Sequence, residues 1–279
     1  MSEEPASPEV ALTWVKAPNP GPSTLEGTLT YLVSAARTVW IVDPGPAHRG
    51  HAQAVVDAAV ATGARRVGGI VLTHRHEDHT GAVSMVRRAL SAATGITVPL
   101  WAAEPGYFPG ATELPTDLSA SGVRAAEIIH LPGHTADSVG LLVSGGRMLT
   151  GDALLGGSPT TITADGNLRD HLQSLSVLRV MSMDGKISGL YPGHGRIIEG
   201  PHEALAEIEH QIAHREERIA QVAGARERGA LTMKRLLDEL YEPQFEALRR
   251  EGASNAHIEA LREAATQNIR AALDYLTAQ

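Results

Sequence analysis

Short apolar runs bounded by Gly or Pro punctuate the first half of the chain. Residues 28–34 (TLTYLVS) and 38–43 (TVWIVD) are rich in β-branched and aromatic side chains and read as strands. DPGP at 43–46 turns the chain, and a helix is expected from about His51 to Ala61. GGIVLT at 68–73 reads as another strand, and AVSMVRRALSAAT at 82–94 carries Val83, Val86, Leu90 and Ala93 at helical spacing. Strands are expected again at 98–103, 126–131, 138–143, 147–150 and 187–191, with helices near 168–181 and 202–223. After a linker at 224–231 (GARERGAL), the pattern from about Thr232 is helical, through Leu236, Leu237, Leu240, Ile258, Leu261, Ile269, Leu273 and Leu276. Strands and helices alternate irregularly, with hairpin-like neighbours at 138–150, which favours a mixed-sheet α/β sandwich over a regular doubly wound fold. No tandem repeat or low-complexity segment interrupts this order.

Composition narrows the classes. With 279 residues, 43% of them hydrophobic, the chain can bury the core of one large domain with a small appendage. The start, MSEEPASPEV, is acidic and lacks a basic region followed by an apolar stretch. No later run approaches the roughly 18 apolar residues of a membrane span, so a soluble, cytoplasmic protein without membrane partners is expected. The absence of cysteine removes disulfides, thiolate nucleophiles and zinc–thiolate sites together, leaving His, Asp and Glu to build any transition-metal site. A net charge of −8 argues against nucleic-acid binding through the whole-protein field, while a local basic groove stays open.

The chemistry concentrates in THRHEDHTG at 73–81, a strand-to-helix loop holding His74, His76, Asp78 and His79. Imidazoles and carboxylates two or three residues apart on a tight loop can converge on cations. Three further segments each end an expected strand and carry one metal-competent residue beside glycine: LPGHT with His134, TGDAL with Asp152 and YPGHG with His194. A lone histidine is ordinarily a surface or satisfied core residue; four such segments in order are not ordinary.

This ordered set resembles the metallo-β-lactamase superfamily over about residues 10–223. The resemblance implies an α/β, four-layer αββα sandwich with metals at one edge of its two sheets. Carried over by motif, His74, His76 and His134 would hold one ion, Asp78, His79 and His194 a second, and Asp152 would bridge them. Asp43, ending the TVWIVD strand, would support the metal loop through hydrogen bonds. Within the superfamily, PNPGPSTLEGTLTYLV, GHTADS, GDALLGGSPTTI, DGNLRDHLQSLSVL and HREER are similar to the beta-lactamase-like protein 2 family. That family contains a mitochondrial endoribonuclease and relatives acting as acyl carrier protein thioesterases. Its pattern carries Asn where this chain has Leu29, so any substrate contact made by that Asn is absent here. Residues 1–223 are thus expected to form the catalytic domain, and 224–279 a helical, incomplete winged-helix-like extension.

The implied reaction is hydrolysis by a hydroxide shared between two divalent ions roughly 3.5–4 Å apart, with no organic cofactor. Zinc fits the nitrogen-rich ligand set; manganese and iron are the alternatives. Asp78 is the catalytic candidate, ligating one metal and orienting the nucleophile or taking its proton. There is no H-E-x-x-H, P-C-x-x-C, G-x-S-x-G or P-loop, which sets aside helix-borne zinc proteases, nucleobase deaminases, serine hydrolases and nucleotide triphosphatases. Lactamases with a cysteine ligand are also ruled out.

Three substrate readings follow. A small-molecule or carrier-bound acyl thioester or ester suits an acidic chain, with Tyr107 and Phe108 in EPGYFPGATELP walling an apolar cleft. A single-strand endoribonuclease follows from the family, because TMKRLLDELYE at 232–242 resembles the first helix of a winged-helix segment. However, the chain then lacks a wing, and residues 201–279 carry 10 Lys and Arg against 14 Asp and Glu. A basic face would have to come from Arg215, Arg218, Arg226, Arg228, Lys234 and Arg235. A non-catalytic metal-bound binding protein is the weakest reading, since all seven ligand positions are filled. The C-terminal apolar positions suffice either to cap the sandwich or to pair two subunits as a homodimer.

Overall fold

The computed structural model describes residues 10–278; the acidic start before Val10 lies outside them. Two six-stranded sheets stack face to face. The first runs in chain order through β1 (Ala11–Lys16), β2 (Leu29–Ala35), β3 (Thr38–Val42), β4 (Arg66–Val71), β5 (Leu100–Ala102) and β6 (Thr112–Glu113). The second runs through β7 (Asp117–Ala120), β8 (Val123–His130), β9 (Val139–Val143), β10 (Arg147–Gly151), β11 (Gly189–Pro192) and β12 (Ile198–Glu199). Helices α1 (Arg49–Ala61), α2 (Glu77–Thr80) and α3 (Val83–Thr94) belong to the first half. The second half carries α4 (Leu168–Met183), α5 (Pro201–Glu227), α6 (Met233–Leu240), α7 (Glu242–Arg250) and α8 (Asn255–Thr277).

Side-chain alternation along the strands sorts the core into layers. Leu32 and Ile41 face outward onto Val55 of α1 and Val86 and Leu90 of α3. Their neighbours Tyr31, Val33, Trp40 and Val42 face inward and meet Leu118, Leu141, Val143 and Leu149 of the second sheet. Leu29 is also buried in this inter-sheet core. On the far side, Met148 and Leu190 pack under Leu175 and Leu178 of α4 and Ile208 of α5. The result is the expected αββα sandwich. A separate apolar cluster joins Val222 of α5 to Leu236, Phe245, Ile258 and Ile269, so the C-terminal helices cap the sandwich and reach its Ile162 and Leu168. Among the described residues no helix is long and apolar enough to cross a membrane.

Several elements differ from the sequence reading. Strand β1 was not expected, because it is an outer strand with mostly exposed side chains and no buried face to leave a pattern. The hairpin of β7 and β8 turns on Ser121 and Gly122, at φ 50° and 80°; the β2–β3 hairpin turns on Ala36 and Arg37, at φ 45° and 61°. Two-residue loops of this left-handed kind match strand twist, yet neither carries the Asn-Gly signal that makes them legible. Helix α5 continues through Glu227, so the expected linker at 224–231 begins inside it.

Strand direction positions the site. β3 and β4 are parallel, and β8, β10 and β11 point the same way within their own sheet, since β9 is antiparallel to both its neighbours. Their carboxyl ends therefore gather at one edge, where Val139 N–H donates to Thr73 O and Leu29 N–H to Gly193 O, each at 2.8 Å.

Phe245 is 1% exposed, stacks on Tyr241 and lies under the Arg262 guanidinium. Phe245→Ala is expected to destabilise the protein by about 3–5 kcal/mol. Chemical denaturation checks this: an unchanged midpoint would show that α6–α8 do not unfold with the sandwich.

Candidate metal centre

The loop after β4 delivers His74 and His76, and the one-turn helix α2 that follows it delivers Asp78 and His79; the turns after β8, β10 and β11 deliver His134, Asp152 and His194. All seven converge. His76 Nδ1 lies 3.0 Å from both His74 Nε2 and His134 Nε2. His194 Nε2 lies 3.1 Å from His79 Nε2 and 3.0 Å from Asp78 Oδ2. Asp152 stands between the two trios, with Oδ1 3.3 Å from His79 Nε2 and Oδ2 3.5 Å from His194 Nε2 and 3.8 Å from His134 Nε2.

Outer partners settle which ring nitrogen faces inward. Thr73 Oγ1 donates to Asp43 Oδ2 at 2.6 Å, so it accepts from His74 Nδ1–H at 3.1 Å. His134 Nδ1–H donates to Thr161 O at 2.5 Å, and His79 Nδ1–H to Asp43 Oδ2 at 2.8 Å. His74 and His134 therefore both turn Nε2 lone pairs toward His76, whose single ring proton can serve only one of them. A cation resolves this conflict. A tetrahedral ion with bonds of about 2.0–2.1 Å has donor–donor edges of about 3.3 Å, close to the spacing present here. Asp152 Oδ1 and His194 Nδ1 are buried without hydrogen-bond partners, and ion coordination would satisfy the carboxylate.

Asp43 lies near His74 and His79 as well, close enough to form a third metal-competent group. Its oxygens are already engaged by Thr73 N–H at 2.8 Å, Thr73 Oγ1 and His79 Nδ1, which makes it an orienting carboxylate. Gly193 supplies clearance: a Cβ there would fall 2.5 Å from Asp152 Oδ1 and 2.6 Å from His79 Cε1.

The electrostatics separate the ligands. Burial lowers His134 to about 4 and holds His74 well below its ordinary value, so both are neutral and ready to ligate. Burial also disfavours a charge on His79, but the Asp152 and Asp43 carboxylates outweigh it and hold that imidazole well above its usual range. Burial pushes Asp78 and Asp152 up; the hydrogen bond from His194 overcomes it at Asp78, and the charges of His194 and His79 overcome it at Asp152, so both stay ionised.

A cleft of about 330 Å³ opens over His76, Asp78, His134 and Asp152. Its other walls are Leu25, Leu155 and the 158–163 segment, and its roof is α8, through Ala260, Glu263, Ala264 and Gln267. Those four share one helical stripe, which the sequence concealed because it is small and polar beside the apolar stripe of Ile258 and Ile269. Thr73 and Thr161 were likewise unforeseen; a hydroxyl and a backbone carbonyl leave no motif. Tyr107 and Phe108 do not line the cleft. Their loop leaves β5 on the outer side of the first sheet: Tyr107 is 58% exposed beneath the Arg75 guanidinium, and Phe108 packs against the helical layer.

An αββα sandwich with a His/Asp cluster at the carboxyl edge of its sheets defines the fold class, and residues 23–194 match it: the chain belongs to the metallo-beta-lactamase superfamily. It is similar to the beta-lactamase-like protein 2 homolog of Drosophila melanogaster, 30% identical over 220 residues covering 73% of this chain and 70% of that protein. The atrochrysone carboxyl ACP thioesterase of Passalora fulva is 27% identical, over 82% of this chain and 67% of that one. A beta-lactamase domain protein from Burkholderia ambifaria, 18% identical, superposes with a TM-score of 0.70 across 99% of this chain and 90% of its own, so the likeness of fold runs through the C-terminal helices.

An ion entering the Asp78–His79–His194 group must displace the proton on His79. Metal uptake is therefore expected to release protons and to tighten as pH rises, which calorimetry in buffers of different ionisation enthalpy reads directly. For the apo protein the sign is opposite: the raised His79 contributes stability at low pH that is lost as pH climbs through its elevated value. Asp43→Asn should weaken metal binding by about 10–100-fold, as measured by chelator competition; wild-type affinity would remove Asp43 from the orienting role.

Proposed function

We propose that this protein hydrolyses acyl thioesters at a centre of two divalent metal ions. The observation that carries the reading is the cleft: it opens directly on both donor trios and contains no Lys or Arg among its lining residues. Of its charged groups beyond the histidines, Asp78 and Asp152 would be neutralised by the ions they hold, which leaves Glu263, while Leu25, Leu155, Pro159, Ala260 and Ala264 offer an apolar wall to an acyl chain. The similarity to a protein named as an ACP thioesterase supports the same class.

His74, His76 and His134 would hold one ion; Asp78, His79 and His194 would hold the other, with Asp152 between them. Five imidazoles and two carboxylates suit zinc, with manganese or iron as the alternatives. Ions bound there supply water that ionises near neutral pH and a Lewis acid for the acyl carbonyl. The two carboxylates differ in access. Asp152 is 8% exposed and enclosed by histidines; Asp78 is 28% exposed, ionised and open to the cleft. Asp78 is therefore the group placed to orient a water molecule and accept its proton.

The ribonuclease reading loses support on the extension. Arg215 is buried, Arg218 stacks over Tyr241 at 4.3 Å, and Arg228 and Lys234 pair with Glu239 and Asp238. Residues 224–278 contain helices and no strand, hence no wing.

Thiol release from a panel of acyl thioesters, with metal-stripped protein as the blank, tests the proposal. Metal-dependent release is expected, and His76→Ala or Asp152→Ala should reduce kcat/KM by more than the roughly 10–100-fold typical of losing an outer partner. No release, with cleavage of single-stranded RNA instead, would overturn it. Ala264→Phe should fill part of the cleft and cut kcat/KM for long acyl chains about tenfold relative to acetyl. An unchanged chain-length profile would exclude α8 from the acyl wall.

A further inference from the structure

Arg215, on α5, is 3% exposed, and among the described residues no carboxylate pairs with it. Burial lowers its guanidinium only to about 10, so it is charged at neutral pH. The neighbouring His171 is kept neutral by its own burial and by that charge. A buried cation without a counter-ion is unfavourable, and an apolar side chain of similar reach would pack there at less cost. Its hydrogen bonds must account for it.

They fall on one short segment. Arg215 Nη2 donates to Thr160 O, and Nη1 donates to Asn268 Oδ1 on α8 at 3.3 Å. The same Asn268 oxygen accepts from Ile162 N–H at 3.2 Å. Between these two anchors lies Thr161, whose carbonyl accepts the Nδ1–H of His134. Thr163 closes the wrap, its N–H and Oγ1 both donating to His134 O at 3.1 and 2.7 Å. Asn268 adjoins Gln267 and lies one turn from Ala264, both in the cleft roof.

We infer that Arg215 is a positioning residue, which through one guanidinium holds the tautomer and aim of His134 and seats α8 over the cleft. It touches neither ion nor substrate; it acts through Thr161 and Asn268. A fork with two donors in a fixed plane can bridge these acceptors, whereas a lysine of equal charge offers a single point.

The test is zinc affinity, by competition with a chromophoric chelator, together with the visible spectrum of the cobalt(II)-loaded full-length protein. Arg215→Met and Arg215→Lys should each weaken zinc binding by about 10–100-fold and change the cobalt spectrum. Asn268→Ala, on the half-buried face of α8, should weaken it less, and Asn268→Asp, which retains the acceptor, should restore it. Should Arg215→Met fail to fold, the Asn268 pair decides. Wild-type affinity and spectrum in Arg215→Met or Asn268→Ala, or full rescue by Arg215→Lys, would overturn the inference. The inference rests on the cluster being a metal centre, and the two fail differently. Wild-type protein that binds no ion sinks the metal reading, whereas wild-type binding with unaffected variants sinks only the coupling.

Discussion

The carboxylate of Asp43 is the interaction on which the site depends. Asp43 directly follows β3 at φ 53°, a left-handed conformation that is costly for a residue with a Cβ. That backbone turns the side chain back across the neighbouring strand, where it accepts from the Thr73 backbone, the Thr73 hydroxyl and the His79 ring. Through Thr73 it fixes His74; through His79 it fixes the second trio. Each of those bonds is charge-assisted and buried, so together they offset the strain that allows them. The metal loop is held from behind by strand-end chemistry, and the loop itself need not be rigid by composition.

The same logic separates what could be read in the sequence from what could not. His74, His76, His79, His134, Asp152 and His194 were legible because each sits beside glycine or in a dense polar run at the end of an apolar one, a combination with few bland explanations. The strands followed from short β-branched runs, and their stacking in four layers from the resemblance that the ordered motifs carry. The elements that stayed hidden are those whose stabilisation is not recorded in side-chain identity. Strand β1 is held mainly by backbone pairing, the Thr161 carbonyl by its position in a loop, and the cleft roof by small residues on the less conspicuous face of α8. Tyr107 and Phe108 are the converse case, in which conspicuous aromatics drew attention to a loop that does not line the cleft.

The C-terminal helices bridge these two regimes. Their apolar stripe announces that they pack, but only the assembled structure shows what they pack over. Leu236, Phe245 and Ile269 bury against α5 and the edge of the sandwich, which brings the Ala260–Gln267 face over the cleft containing the two carboxylates. Burial of one face thereby determines the chemistry available to the other.

Helix α5 has a mechanical consequence. Its 27 residues form one rod about 40 Å long, packed under the second sheet at its start and against the C-terminal helices at its end. No flexible joint interrupts it where the sandwich gives way to the extension. The C-terminal helices that carry the roof pack on the end of this rod, so the rod ties the placement of the roof to that of the sandwich.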